Sequence, residues 1–367
     1  MPEFVTNYKE ILDKLDAIDP LAYGKTRNYL NGAVTYLSPY ISRGVISTKM
    51  VLEKMEERGF NPFHIGKFVQ ELAWRDYWQQ VWLHKDINTD LKQPQMGVKN
   101  TRISEVIVNA NTGINAIDAG IKDLYITGYM HNHLRMYVAA MACNMAGSHW
   151  KTPAQWMYYH LLDADWASNA LSWQWVAGAN ASKKYVANQE NINNFCATNQ
   201  FGTFLDVPYE SFDNWNVPAK LETLISPDFN TNLPKAPALQ IDAELPTCIY
   251  NFYNMDPAWR RDIQANRILL LVPSIFRDYP ISQQSMDFLL QLGKNIDGLQ
   301  IYVGEFNELK ALLKGPIYFK EHPLNKYEGI EDARDWMFDV KGYYPSFFGY
   351  WKKCKKELAA SYKEKLK

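Results

Sequence analysis

The chain has 367 residues, of which 47% are hydrophobic, and a net charge of −1. That length exceeds one ordinary core and sets two domains as the expectation. The charge is evenly spread, 19 Lys and Arg against 18 Asp and Glu up to residue 200 and 20 against 22 beyond it, so the basic excess of a protein that grips nucleic acid mainly through phosphates is absent.

No run approaches the roughly 20 apolar residues of a membrane-spanning helix, and the opening MPEFVTNYKEILDKL interrupts its apolar positions with charges. A soluble cytoplasmic protein without a signal peptide is expected. Cys143, Cys196, Cys248 and Cys354 lie far apart, which points to reduced thiols and no metal site. From residue 8 to about 195 the apolar residues recur at helical spacing, as in FVQELAWRDYWQQVW and GINAIDAGIKDLYI. Between 206 and 246, DVPYESFDNWNVPAK and PDFNTNLPKAPALQIDAELP read as a linker rich in Pro and Asn, which sets the expected domains at 1–235 and 236–367. Beyond it NRILLLV, SQQSMDFLLQLGKN, LQIYVG, FNELKALLK and PIYFKEH alternate strand and helix, a small parallel βαβαβ unit without a Gly-rich phosphate loop. The tail from Gly329 to Lys367 reads as helical, with aromatics in KGYYPSFFGYW and a basic KKCKKE. The expected fold is therefore mainly α, a helical bundle followed by a small α/β unit and a helical tail.

Of the 12 tryptophans, eight lie from Trp74 to Trp175, consistent with a Trp-rich core or with a region built around a flat ring system. Four segments there and just before it carry the chemistry: YGKTRNYLNGAVTYLSPYISRGVIS (Tyr23 to Ser47), ELAWRDYW (Glu71 to Trp78), TGYMHNHLRM (Thr127 to Met136) and HLLDADWASNALSWQW (His160 to Trp175). Thr35 and Ser38 place hydroxyls at a helix start, where a diphosphate or a plain N-cap with Pro39 behind it fits equally, and Arg75 adds charge. Asn132 and Arg135 share a helix face, and Asp163, Asp165 and Asn169 follow among apolar residues. Charged groups so placed need partners: either a salt bridge joining two helices, or a polar heterocycle with an imide edge.

The order and spacing of these four segments resemble the FAD-binding domain of DNA photolyases and cryptochromes. The resemblance implies FAD bent into a U inside a helical bundle. Tyr23, Thr35, Leu37 and Ser38 would hold its phosphates and neighbouring parts. Asn132, Arg135, Asp163 and Asp165 would line the flavin and ribityl region, Asn169 would face flavin N5, and Tyr36, Phe68, Glu71 and Arg75 would complete the contacts. Asn at position 169 resembles the photolyases, and MHNHLRM resembles those acting on cyclobutane pyrimidine dimers. The implied activity is light-driven repair of such dimers in DNA by an electron from reduced flavin, with a cryptochrome-like photoreceptor as the alternative. Glu71, Trp74, Met136, Asn169 and Trp175 are then the catalytic set, Trp74, Met136 and Trp175 walling the lesion pocket. Arg27, Trp74, Asn132 and His133 would lie near the DNA, single- or double-stranded. Trp173 and Trp150 match two of the family's three electron-transfer tryptophans, and no Trp between Trp82 and Trp150 supplies the third. The family's α/β domain, often the holder of an antenna chromophore, precedes its helical domain, whereas this sequence opens at the helical part. The α/β unit after residue 247 then stands as a reduced or relocated counterpart, with no antenna chromophore assigned.

Overall fold

In the computed structural model, which describes residues 3–365, the chain forms two compact units. The first consists mainly of Ala22–Val34 and Lys85–Phe229; the second takes Phe4–Leu21, Thr35–His84 and the described chain from Asn230 on. The expected linker contains the break at Phe229, but the expected division into 1–235 and 236–367 is corrected. Residues of the early helices find their partners late in the sequence: the Tyr8 amide donates to Asn295 Oδ1 at 2.8 Å, and the Tyr40 ring lies 5.9 Å from that of Phe288. Helical periodicity marks which face of such a helix is apolar and says nothing of what will cover it.

The first unit is helical, as its sequence pattern predicts. Its longer helices are Asn115–Thr127, Asn132–Ala140, Lys151–His160, Trp166–Ala177 and Gln189–Cys196. The Trp166–Ala177 helix is central. It packs on Lys151–His160 and Asn132–Ala140, and its buried set, Trp166, Ala167, Asn169, Ala170, Leu171, Trp173, Gln174, Val176 and Ala177, runs all round its surface. Asp165 caps its start by accepting from the Ser168 amide, and Gly178, at φ 82°, ends it in the left-handed conformation that glycine adopts without steric cost. The Asn132–Ala140 helix runs on into a π-helical turn, Met141–Met145.

The second unit joins helices Tyr8–Asp16, Thr48–Glu57, Gly66–His84 and Phe347–Lys365 to a parallel five-stranded sheet. In spatial order the strands are Leu299–Val303, Asn266–Leu271, Thr247–Tyr250, Ile317–Lys320 and Ile330–Asp332. Three of these are the strands of the expected βαβαβ unit. The sheet gains the central Thr247–Tyr250, hidden in the sequence by its four-residue length beside the linker, and the exposed edge strand Ile330–Asp332. Ile249, Ile268, Leu270, Ile317 and Phe319 meet Phe306 and Leu309 in its core. Gly44, at φ 65°, lets the SPYISRG turn approach the loop after the central strand, because a Cβ there would stand 2.6 Å from the Tyr253 carbonyl oxygen.

Candidate functional site

The site is built upward from helix Asn132–Ala140 of the first unit. His131 caps it, its ring accepting from the His133 amide. One turn in, the Arg135 side chain folds back, Nε donating to the Met130 carbonyl at 2.9 Å and Nη1 to the Asp163 carboxylate at 3.0 and 3.4 Å. The Asp163 side chain is only 6% exposed and that of Arg135 21%, so the charges are paired where water is scarce. Burial also holds His131 down to about 4, with His133 and Arg135 adding like charge, which keeps that imidazole neutral beside the guanidinium. Asp165 is buried and spends one oxygen on its helix cap. One turn further, Asn169 donates its amide N–H to the Ala154 carbonyl at 2.8 Å, and its Oδ1 takes no hydrogen bond among the described residues. A guanidinium, two carboxylates and an amide oxygen in an apolar helical setting suit a polar heterocycle that both donates and accepts hydrogen bonds.

Other sequence-predicted residues of this unit divide. Met136 is half-buried and Trp175 is 39% exposed, tilted against Tyr185, so both retain open surface. Asn132 is exposed at the helix start. Tyr23 and Arg27 are half-buried, Arg27 donating to the Gly24 carbonyl. His133 is corrected as a DNA contact: its Nδ1 lies 2.8 Å from the Asn28 carbonyl, its ring stacks on Tyr137 at 4.7 Å, and burial lowers its pKa. It is a core histidine. Trp173 is buried, and Trp150 is fully buried with its Nε1 donating to Asp90 at 2.7 Å. The ring beside Trp150 is Trp166, at 6.3 Å between centroids. Asp90 and Trp166 were missed from sequence; an isolated Asp in a loop and one more Trp at helical spacing carry no signal of that contact.

In the second unit the expected contacts are placed by ordinary packing. Leu37 caps the short helix Ser38–Ser42, which moves Ser38 from the expected cap to the first helical position and Pro39 to the second. The Thr35 hydroxyl accepts from the Leu37 amide, and Tyr36, at φ 54°, takes a left-handed conformation that is uncommon outside glycine. Phe68, 2% exposed, is corrected from a cofactor contact to a core residue of this unit. Glu71 pairs with Lys67 at 3.1 Å, and Arg75 is half-buried. Trp74 does not present a free ring. Phe347 of the last helix stacks on it at 3.6 Å between centroids and 9° between planes, with Trp78 at 4.8 Å. This corrects the expectation that Trp74 walls an open pocket. Between those aromatics, the buried Asp76 carboxylate accepts from the Thr48 hydroxyl at 2.9 Å and the Met337 amide at 3.0 Å, and burial raises its pKa to about 6. Neither Phe347 nor Asp76 stood out in the sequence, since their partners lie more than 250 residues away.

A helical unit that gathers Arg135, Asp163, Asp165 and Asn169 under an apolar lining belongs to the class of proteins that enclose an organic cofactor between helices. Residues 68–204 match the family described as FAD binding domain of DNA photolyase, and through this segment the chain belongs to the photolyase and cryptochrome family. It is 30% identical over 189 residues to the deoxyribodipyrimidine photo-lyase of Agrobacterium fabrum, which covers 46% of this chain and 38% of that protein. It is also 30% identical over 177 residues to cryptochrome DASH of Danio rerio, covering 42% and 32%. The chain thus spans less than half the length of these relatives. Among solved structures, the class III photolyase of Agrobacterium tumefaciens shares 26% identity and a TM-score of 0.43, over 52% of this chain and 42% of that one. Among the described residues no helix is long and apolar enough to cross a membrane, and no cluster of His, Cys, Asp and Glu could hold a metal ion.

Proposed function

We propose that the first unit binds the flavin of FAD, and that the protein uses it for light-driven repair of cyclobutane pyrimidine dimers in DNA. The observation that carries this reading is the buried Arg135–Asp163 pair with the Asn169 Oδ1 one helix away. Arg135, held in place by Asp163 and the Met130 carbonyl, supplies fixed positive charge that favours an anionic reduced ring. Asn169 presents an acceptor that suits an N–H at flavin N5. The buried helices around them exclude water, and the neutral His131 adds no competing proton source near neutral pH. When bound, reduced FAD supplies light-driven electron donation to the dimer and recovery of the electron once the ring has opened. Trp175 and Met136, both with open surface, are the residues of this unit fit to meet an extruded base.

A photoreceptor without repair activity is the second reading, favoured by one observation: Phe347 covers the Trp74 ring. The test is illumination of the flavin-loaded, reduced protein with an oligonucleotide carrying one thymine dimer. Restored thymines are expected. Flavin photochemistry without thymine recovery would establish the photoreceptor reading, and a protein that takes up no FAD would end both.

A further inference from the structure

The last helix, Phe347–Lys365, has two unlike faces. Its inner stripe, Phe347, Tyr350, Trp351, Cys354 and Leu358, is buried, and Phe347 closes the face of Trp74. Its outer face begins with Phe348, 68% exposed, and continues with Lys352, Lys353, Lys355 and Lys356, all exposed. Phe348, Lys352 and Lys356 fall four residues apart and so lie in one row along the helix, about 6 Å from one to the next.

Other surface helices of this unit mix their charges: Tyr8–Asp16 reads YKEILDKLD and Thr48–Glu57 reads TKMVLEKMEE. The four lysines of the last helix make no ion pair among the described residues. The nearest carboxylate along the helix, Glu357, instead accepts from the Asp339 amide at 2.8 Å. Four like charges within five positions cost helix stability through mutual repulsion. In a chain of net charge −1 they are a local exception, and an anionic partner would convert the repulsion into attraction.

We propose that this outer face is a nucleic-acid contact, the lysines meeting successive phosphates of one strand and Phe348 stacking on an unpaired base. A row of cations led by an exposed aromatic is the combination by which proteins hold single strands without reading sequence. The inference rests on the DNA reading above and adds to it: Trp74 is engaged with Phe347, and the exposed ring of this helix is the next residue, Phe348. The lysines would supply the phosphate contacts that the bulk charge does not.

Binding of the full chain to undamaged single-stranded and duplex oligonucleotides, followed by fluorescence anisotropy over a series of salt concentrations, tests the proposal. Replacing Lys352, Lys353, Lys355 and Lys356 together with Gln changes only exposed positions, and circular dichroism checks that the helix persists. The expected result is a salt slope shallower by about 2 to 3 for the single strand, where each phosphate contact contributes roughly 0.7. Phe348→Ser is expected to weaken single-strand binding about tenfold with the slope unchanged. The proposal is overturned if the Gln variant keeps both slope and affinity, or if the unchanged protein binds vesicles of anionic phospholipid and neither oligonucleotide. Thymine-dimer repair by the Gln variant separates the two failures. Repair with an unaltered slope removes the helix assignment alone, whereas an unchanged protein that neither binds nor repairs removes the DNA reading with it.

Discussion

Arg135 with Asp163, in the first unit, and Trp74 with Phe347, in the second, both grow from prominent sequence segments, yet only the first contact was foreseeable. A buried charge must be answered by an opposite charge or by several hydrogen bonds, and the helical part of the sequence offers few carboxylates among its apolar residues, so the 3.0 Å pair has few alternatives. An aromatic ring makes no such demand. Its burial energy is non-directional, and any flat apolar neighbour satisfies it. Trp74 therefore accepts a ring from the far end of the chain, and nothing in ELAWRDYW announces it. Directional groups in a motif predict their partners; apolar ones predict only that they will be covered.

The largest break in that contrast comes from Asp163→Ala. Arg135 keeps its Met130 bond but loses its counter-charge in a mostly buried place, a cost of about 3 kcal/mol, and flavin retention should fall more than tenfold. Asp163→Asn, which keeps an acceptor, should lose less of both. Denaturant titration and flavin absorbance after gel filtration read the two effects. A variant that keeps wild-type stability and full flavin content would show that the pair is incidental.

The second unit offers a sharper test, because Asp76 is a carboxylate buried against its own interest. Its folded pKa, about 6, lies above the model value of 3.8, so the folded state binds the extra proton between those values. Stability from this group is therefore greatest below about pH 4, declines as the pH rises toward 6, and stays lower above it, by roughly 3 kcal/mol for a shift of about two units. Asp76→Asn, which still reaches Thr48 and the Met337 amide, should lose that dependence and gain on the wild type as the pH rises from 4 to 7. Parallel stability curves for the two proteins across this range would place the proton elsewhere.

The smallest expected effect lies back in the first unit. Trp150→Phe removes the indole donor to Asp90, whose carboxylate keeps the Gln95 amide and the His149 ring, so the loss should be about 1.5 kcal/mol. Transient absorption then asks whether electrons reach the flavin by way of Trp173 and Trp150. Slower photoreduction is expected in the variant, and an unchanged rate would remove Trp150 from the route.

Several features followed from the amino-acid sequence alone. The helical character of the first unit came from its 3.6-residue periodicity, the parallel strand-and-helix alternation after residue 247 from short β-rich runs, and the family from four spaced segments. These are local signals, repeated along a contiguous stretch. Tertiary structure alone decided that residues 4–21 and 35–84 group with the late α/β region, that His133 turns into the core toward Asn28, and that Phe347 covers Trp74. It also decided that Thr247–Tyr250 sits at the centre of the sheet, because a four-residue strand gains its stability from the neighbours on both sides and carries little pattern of its own. In each case the deciding contact joins distant parts of the chain through non-directional packing or a single backbone hydrogen bond, and neither leaves a periodic trace in the sequence.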